Sequence, residues 1–273
     1  MKNKNITYAW FNRSSVRQII AGLLLVVIWT ASTAFIKKNS PHPPVGVKNI
    51  VLVHGAWADG SGWERVYKIL KGKGYNVTIV SNPNTSLAAD VNAAKAVLSQ
   101  QDGPVILVGH SYGGAIISEC GDDSKVVGLV YVAAFAPDEG ESLAKMQESS
   151  PPNPESGVLP PKDGFIWYDV AKFHKDFCAD LPAAKAEFMA HSQVPPGVEA
   201  FTTALTKAAW KTKPSWYIVS KEDRMIPPAV EEFMAKRAKS NITEIKSSHA
   251  VYISHADEVA AVIETAAKNS MKK

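Results

Sequence analysis

The chain has 273 residues, 46% of them hydrophobic, which is enough for one domain with a sizeable core. Its formal net charge is +4, but Lys2, Lys4, Arg13 and Arg17 all lie in residues 1–34, a stretch without an acid. Subtracting these four charges from +4 leaves the rest of the chain near neutrality, so nothing in its charge indicates nucleic-acid binding. The two cysteines exclude a disulfide framework and allow one bridge at most.

Residues 1–34 have the pattern of a secretory signal. A positively charged stretch precedes an apolar run from Ile19 to Ile28, and small residues then lead to Ala34, after which we expect cleavage. The alternative is an uncleaved anchor, because counting on to Ile36 gives 18 mostly apolar residues. The short and interrupted run favours a cleaved signal. We therefore expect a secreted or periplasmic protein, with membrane contact only if the segment is retained.

Residues 35–47 contain prolines and predict a linker, and the domain is expected to span residues 48–273. Within it, short apolar runs predict strands, and helical patterns separate them. The predicted strands are Asn49–Val53, Val77–Val80, Val105–Val108, Val126–Ala133, Ser215–Val219 and Ile242–Ile245. A capping box at Ser61–Glu64 predicts the start of the first helix. This alternation predicts an α/β fold with a mostly parallel sheet flanked by helices.

Between Pro137 and about Lys213 the alternation of strands and helices stops. Five prolines within residues 151–161 exclude regular structure there, and short helical patterns follow. We therefore predict a helical cap at about residues 137–213, inserted after the fourth strand of the mature chain. Aromatic residues of the cap either pack in its core or line a substrate pocket, and both interpretations stay open. They are Phe165, Trp167, Tyr168, Phe173, Phe177, Phe188, Phe201 and Trp210.

A nucleophile motif follows the strand that begins at Val105. Gly109, Ser111 and Gly113 form a Gly-x-Ser-x-Gly pattern, and a helical stretch starts at Ala115. A strand, a sharp turn and a helix are the context in which this pattern exposes a reactive serine. The turn strains the backbone of the serine, and the glycines admit the close approach of neighbouring chain. Ser111 is therefore the predicted nucleophile.

An acyl-transfer serine needs a base and an acid that orients the base. In this architecture the three residues follow one another as serine, acid and histidine, each after a strand. Asp223 follows the fifth predicted strand and His249 follows the last, so Ser111, Asp223 and His249 are expected at one edge of the sheet. Glu222 is the alternative acid. His255 is the alternative base, but it stands at the start of the terminal helix.

The tetrahedral intermediate of acyl transfer carries an oxyanion that two preorganised N–H groups must meet. One is the backbone amide of Tyr112, the residue after the nucleophile. The other comes from the loop after the first strand, where Ala56 is best placed. We expect His54 and Gly55 to shape that loop, with a direct catalytic role for His54 as the lesser alternative.

Five segments together match the patterns of one enzyme family. They read LVHGAW at 52–57, VGHSYGG at 108–114, VYVAAFAP at 130–137, EDRMIPP at 222–228 and SSHA at 247–250. With them the chain resembles the α/β-hydrolase superfamily over about residues 49–267. More narrowly, it resembles small-ester hydrolases related to plant hydroxynitrile lyases, methyl-ester esterases and bacterial pyrethroid-type esterases. The resemblance implies a metal-free serine hydrolase with Ser111, Asp223 and His249 as its triad.

The lyase branch of this family differs from the chain at two positions. Those enzymes resemble one another in a threonine after the first-strand histidine and a lysine after the catalytic histidine. This chain has Gly55 and Ala250 instead, so it lacks the cation that would stabilise departing cyanide. The comparison favours an esterase.

The sequence therefore predicts a carboxylic ester hydrolase that acts on small or medium apolar substrates through an acyl-enzyme. No His-Glu-x-x-His motif and no phosphate-cradling loop occurs in the sequence, so neither a metal nor another cofactor is expected. The expected partner is a small-molecule ester. The alternatives are a hydroxynitrile-lyase-like or haloperoxidase-like activity on the same fold, and a catalytically silent binding module.

Overall fold

A six-stranded parallel sheet forms the centre of the computed structural model, which describes residues 44–148 and 155–271. The spatial order of the strands is β2-β1-β3-β4-β5-β6, and every neighbouring pair is parallel. The strands are β1 Asn49–Val53, β2 Asn76–Val80, β3 Val105–Ser111, β4 Val126–Ala134, β5 Ser215–Ser220 and β6 Asn241–Ile245. The predicted α/β class and parallel sheet are confirmed.

Helices cover both faces of this sheet. Outside the segment between β4 and β5 they are α1 Glu64–Gly72, α2 Leu87–Ser99, α3 Gly113–Cys120, α8 Pro228–Arg237, α9 Val251–Ser254 and α10 Ala256–Asn269. The strands alternate between two apolar cores: Val105 and Leu107 face one, whereas Ile106 and Val108 face the other. Because both faces are covered, the central strands are continuously apolar rather than alternating with polar residues.

The capping box predicted at Ser61 is wrong. The carboxylate of Asp59, two residues earlier, accepts a hydrogen bond from the Ser61 N–H at 2.7 Å. A 3₁₀ turn over Gly60–Trp63 follows, and α1 begins only at Glu64. Aspartate is among the best residues at a helix start, and here it starts the tighter turn that precedes the helix.

The segment between β4 and β5 is the predicted helical cap. Its helices are α4 Leu143–Glu148, α5 Val170–Phe177, α6 Ala183–His191 and α7 Val198–Thr202. Three of the prolines predicted to exclude regular structure fall in residues 149–154, outside the described residues. Pro160 and Pro161 lie in an irregular part of the cap.

The predicted signal or anchor in residues 1–34 lies outside the described residues, as does most of the predicted linker. Within the described ranges, no helix is long and apolar enough to cross a membrane. Cys120 and Cys178 are both free and buried, and burial raises the pKa of each thiol to about 12. The one disulfide that the count allowed is therefore not formed.

Gly114, in the first turn of α3, offers a test of how closely this helix packs against the chain at Phe135. A Cβ there would overlap the carbonyl oxygen of Phe135, which is backbone and cannot move aside. We expect Gly114→Ala to lower the free energy of unfolding by about 3 kcal/mol, measured by urea denaturation. Gly72→Ala is the matched control, because its Cβ would meet no atom within 4 Å. It should leave stability unchanged or raise it by up to about 1 kcal/mol, and equal losses in both variants would contradict this account.

Candidate active site

Ser111 occupies a strained turn between β3 and α3. Its φ is +53°, in the left-handed region that residues other than glycine rarely adopt. The turn closes tightly, because a Cβ on Gly109 would lie 2.5 Å from the Gly113 carbonyl oxygen, and a Cβ on Gly113 would lie 2.8 Å from that of Val53. Only glycine fits at both flanking positions, and the serine is left at the carboxyl end of a central strand.

The loop after β1 lies directly against Ser111. A Cβ on Gly55 would lie 2.6 Å from the Ser111 Cβ, so the chain between His54 and Ala56 packs on the nucleophile turn. Among the described residues, the backbone N–H groups of Ala56 and Tyr112 donate to no other backbone group. The structure thus brings together the two segments that carry the predicted oxyanion donors.

Asp223 and His249 form a fully buried pair at the ends of neighbouring strands β5 and β6. The Nδ1–H of His249 donates to Asp223 Oδ2 at 2.6 Å, and both side chains have 0% exposure. The other carboxylate oxygen of Asp223 accepts hydrogen bonds from the backbone N–H groups of Met225, at 2.7 Å, and Ile226, at 2.9 Å. The carboxylate therefore has a fixed orientation, and it fixes the tautomer and orientation of the imidazole.

His110, the residue before Ser111, connects the nucleophile turn to the His249 loop. Its Nε2–H donates to the His249 carbonyl at 3.0 Å, and the two rings are 4.7 Å apart. Phe177 of the cap packs edge-on against the His249 ring at 4.9 Å. His249 Nε2 is buried and has no hydrogen-bond partner among the described residues, so no hydrogen bond joins it to Ser111 in this structure. In structures without bound substrate, the hydrogen bond between a nucleophile and its base is often long or poorly aligned, and it shortens when substrate binds.

The alternative residues lie elsewhere. Glu222 is exposed and forms an ion pair with Lys246 at 3.5 Å. His255 is half-buried, and its Nε2 lies 3.9 Å from an oxygen of Asp180. His54 donates from Nδ1 to the Gly55 carbonyl at 3.0 Å, and burial lowers the pKa of its imidazole, which supports a structural role.

A cavity of about 230 Å³ opens at Ser111 between the sheet edge and the cap. Most of its lining is apolar or aromatic, with Arg224 as the one cation among the described residues that line it. The apolar lining residues are Trp57, Phe135, Met146, Val158, Tyr168, Phe201, Met225, Ile226, Pro227 and Val230. No group of three or more His, Cys, Asp or Glu in the described ranges is arranged to hold a metal ion.

The aromatic residues of the cap divide between the two interpretations that the sequence left open. Tyr168 and Phe201 line the cavity, and both pack against the Trp57 ring. Phe173, Phe177 and Trp210 are buried in the apolar core, whereas Phe165, Trp167 and Phe188 are exposed. Trp57 itself had no predicted role. Its φ is +55°, and its indole N–H donates to the Ile166 carbonyl at 2.8 Å, which holds the ring at the cavity wall.

A buried acid, Asp90, contacts the side chain of Tyr112, and the sequence analysis did not predict it. Asp90 of α2 accepts hydrogen bonds from the Tyr112 hydroxyl, at 2.6 Å, and from the Asn84 N–H, at 2.7 Å. Burial raises the pKa of Asp90 from 3.8 to about 6, although both hydrogen bonds oppose this shift. A single aspartate in an alanine-rich helix is usually exposed to solvent. The burial of Asp90 could have been predicted only by showing that its position faces the core.

The Asp90 carboxyl makes stability depend on pH. Because its pKa is higher in the folded state than in the unfolded chain, its contribution is fully present below about pH 4 and is lost as pH rises to about 6. We expect the stability difference between wild type and Asp90→Asn, from urea denaturation, to fall by up to about 3 kcal/mol across that window. A difference that stays constant with pH would contradict a raised pKa.

Comparison with known proteins identifies the family of this chain. The alpha/beta hydrolase family matches residues 50–262. The chain is 28% identical to the alpha/beta hydrolase nvfD of Aspergillus novofumigatus, over 82% of this chain and 98% of the relative. It is 34% identical to a carbendazim hydrolyzing esterase of Nocardioides sp., over 38% of this chain and 49% of the relative.

Among solved structures, a pyrethroid hydrolase from Sphingobium faniae superimposes with a TM-score of 0.69. The superposition covers 82% of this chain and 98% of that structure at 23% identity, a likeness that concerns the fold alone. The family match, in contrast, extends over most of the chain and includes most of β1, the nucleophile turn, the Asp223 loop and the His249 loop. This protein is a member of the alpha/beta hydrolase family.

Proposed function

We propose that this protein is a serine hydrolase that cleaves carboxylic esters through an acyl-enzyme. The observation that carries the proposal is the buried Asp223–His249 pair, whose imidazole keeps a free Nε2 and packs on His110, the neighbour of Ser111 in the strained turn. A buried ring nitrogen without a partner is costly, and a serine hydroxyl or a leaving alcohol would satisfy it. The carbendazim hydrolyzing esterase among the similar proteins supports ester hydrolysis in general.

In the first half of the proposed reaction, Ser111 Oγ attacks the ester carbonyl carbon while His249 Nε2 accepts the hydroxyl proton. Asp223 stabilises the imidazolium that forms and does not take its proton. The tetrahedral intermediate collapses when His249 returns the proton to the leaving alcohol. Water gives a proton to the same Nε2 and attacks the acyl-Ser111 carbonyl. The acid leaves when His249 returns that proton to Ser111 Oγ, which restores the free enzyme.

The negative oxygen of each tetrahedral intermediate needs two donors. The backbone N–H groups of Ala56 and Tyr112 are suited to this role, because neither is used by another backbone group. Asp90 holds the Tyr112 side chain from behind, so it helps to fix the residue whose amide would bind the oxyanion. Preorganised donors of this kind contribute about 3 kcal/mol each to the lowering of the barrier.

The cavity supports an apolar substrate of small or medium size. Its volume of about 230 Å³ is below the usual range of drug-sized pockets, and apolar residues dominate its walls. A lyase activity gains no support from the site. A threonine at position 55 would collide with the Ser111 Cβ, and the residue after His249 is the fully buried Ala250, with no cation.

Replacement of the nucleophile tests the reaction class. We expect the purified protein to hydrolyse p-nitrophenyl esters and Ser111→Ala to lose at least about 10³-fold in kcat/KM, because the nucleophile is gone. Ser99→Ala, an exposed position outside the cavity, is the control and should retain full activity. A fluorophosphonate should label the wild type and Ser99→Ala but not Ser111→Ala.

Labelling without ester turnover would show a competent serine and refute the substrate class. If the protein shows no labelling and no turnover, the hydrolase proposal is refuted and a silent binding module is favoured. Cyanide release from a cyanohydrin, in the absence of ester cleavage, would instead establish the lyase alternative.

The size of the acyl group should depend on Val230, a half-buried residue of α8 that lines the cavity. We expect Val230→Phe to fill part of the cavity and to lower kcat/KM for a hexanoate ester about tenfold relative to acetate, since a clash of one or two methylenes costs about 1–3 kcal/mol. Val170→Phe adds the same ring at an exposed position of the cap outside the cavity and should leave the ratio unchanged. An unchanged ratio in both variants would mean that the acyl group binds elsewhere.

A further inference from the structure

A second buried acid, Glu231, lies beside the Asp223–His249 pair. It belongs to the first turn of α8, and its side chain is fully buried. Its Oε2 accepts a hydrogen bond from the backbone N–H of Ser220, at the end of β5, at 3.0 Å. Its Oε1 is buried and has no partner among the described residues. The carboxyl group of Glu231 interacts with that of Asp223, whose backbone N–H donates to the carbonyl of the same Ser220 at 3.2 Å.

Among the described residues, no lysine or arginine forms an ion pair with Glu231 or Asp223. Tyr217, which faces Glu231 from β5, uses its hydroxyl to donate to the Ala134 carbonyl. The ammonium group of Lys221 pairs with two carboxylates at the surface. Two adjacent buried carboxyl groups cannot both ionise at low cost.

Burial and the neighbouring Asp223 together raise the pKa of Glu231 well above its ordinary value. The Ser220 N–H and the N-terminal end of α8 favour the anion, but they are too weak to reverse this direction. The geometry agrees with a neutral acid. An oxygen that finds no donor is satisfied when it carries the proton itself, and Oε1 is the oxygen without a donor.

We propose that Glu231 is a protonated carboxylic acid that donates a hydrogen bond from Oε1 to the Asp223 carboxylate and thereby sets how strongly His249 holds a proton. Glu231 touches neither substrate nor Ser111, so it is a positioning residue. Its kinetic consequence depends on the proposed ester hydrolase function. The donated hydrogen bond spreads the charge of Asp223, so that the carboxylate stabilises the imidazolium of His249 less and the ring stays neutral at lower pH.

Two replacements of Glu231 distinguish a hydrogen-bond donor to Asp223 from a side chain that only fills space. Glu231→Gln keeps an oxygen for the Ser220 N–H and provides an amide N–H for Asp223, so it reproduces the neutral acid. Glu231→Met has similar volume but neither group. If Glu231 were ionised instead, glutamine would remove a negative charge beside Asp223 and would not be equivalent to the wild type.

The protonation state can be measured without any substrate. The infrared difference spectrum between wild type and Glu231→Gln at neutral pH should contain the carbonyl stretch of a protonated carboxylic acid, shifted in heavy water. In proton NMR, the downfield Nδ1–H resonance of His249 should coincide in wild type and Glu231→Gln and should move in Glu231→Met. A carboxylate band in place of the acid band overturns the proposal, whatever the protein hydrolyses.

The pH profile of kcat/KM for a p-nitrophenyl ester tests the effect on His249. We expect the acidic limb of Glu231→Gln to match the wild type and that of Glu231→Met to move to higher pH by about one unit, because a hydrogen bond to a charged group contributes about 1.5–3 kcal/mol. A limb that moves to lower pH in Glu231→Gln would show that an anion had been removed. Identical limbs in all three proteins would show that Glu231 only fills space, and either result overturns the proposal.

Activity and protonation are independent outcomes. If no ester is cleaved, the proposed hydrolase function fails while the infrared and NMR measurements still decide the state of Glu231. Circular dichroism and urea denaturation of both variants establish that the comparison is made on folded protein.

Discussion

The hydrogen bond between Asp223 and His249 is the interaction on which the rest of the structure depends. Both groups are buried, so each has lost its hydration and must find its partners within the protein. The Asp223 loop supplies two backbone N–H groups to the carboxylate, and the aromatic surroundings of His249 leave only one ring nitrogen free. A charge held in this way interacts more strongly with its neighbours than it would in water, which is the physical basis of a reactive site.

The cap does more than close the cavity, because it also holds the His249 loop. The N–H of Ala250 donates to the Phe177 carbonyl at 3.0 Å, and Ser248 donates to Asp180 from both its backbone and its hydroxyl. The residues on either side of His249 are therefore bound to the end of α5 and the chain after it. Formation of the base and formation of the substrate cavity are thus coupled: a cap that shifted would displace the imidazole along with the cavity wall.

Much of this fold could be predicted because its signals are local. The strands are short apolar runs, and the turn at Ser111 requires glycines that the sequence shows directly. The position of Asp223 and His249 after neighbouring strands follows from the parallel topology, which brings strand ends to one edge. The capping box failed because Asp59 and Ser61 are both good helix-start residues, and sequence alone does not rank two such residues two positions apart. The roles of the site residues remain predictions that the kinetic experiments address.

The environment of individual acids could not be predicted, since it depends on which residues the tertiary fold turns inward. Glu231 and Glu232 are adjacent in α8 and chemically identical. Glu231 is fully buried beside Asp223, whereas Glu232 is half-buried and pairs with Lys221 and Lys236 at the surface. A helical turn of 100° between neighbours produces this difference, and the apolar pattern of α8 is too short to fix the phase.

Asp90 and Glu231 illustrate the same physics at opposite ends of the site. Each is a buried acid whose pKa is raised by loss of hydration, and each contacts a residue assigned a part in the proposed reaction: Asp90 contacts Tyr112, and Glu231 contacts Asp223. Their difference lies in the partner. Asp90 accepts a hydrogen bond from a neutral hydroxyl, so it needs no proton of its own to be satisfied. Glu231 meets a second carboxylate, so a proton is what turns their repulsion into a hydrogen bond. The partner, more than burial alone, therefore decides which of the two acids holds its proton at neutral pH.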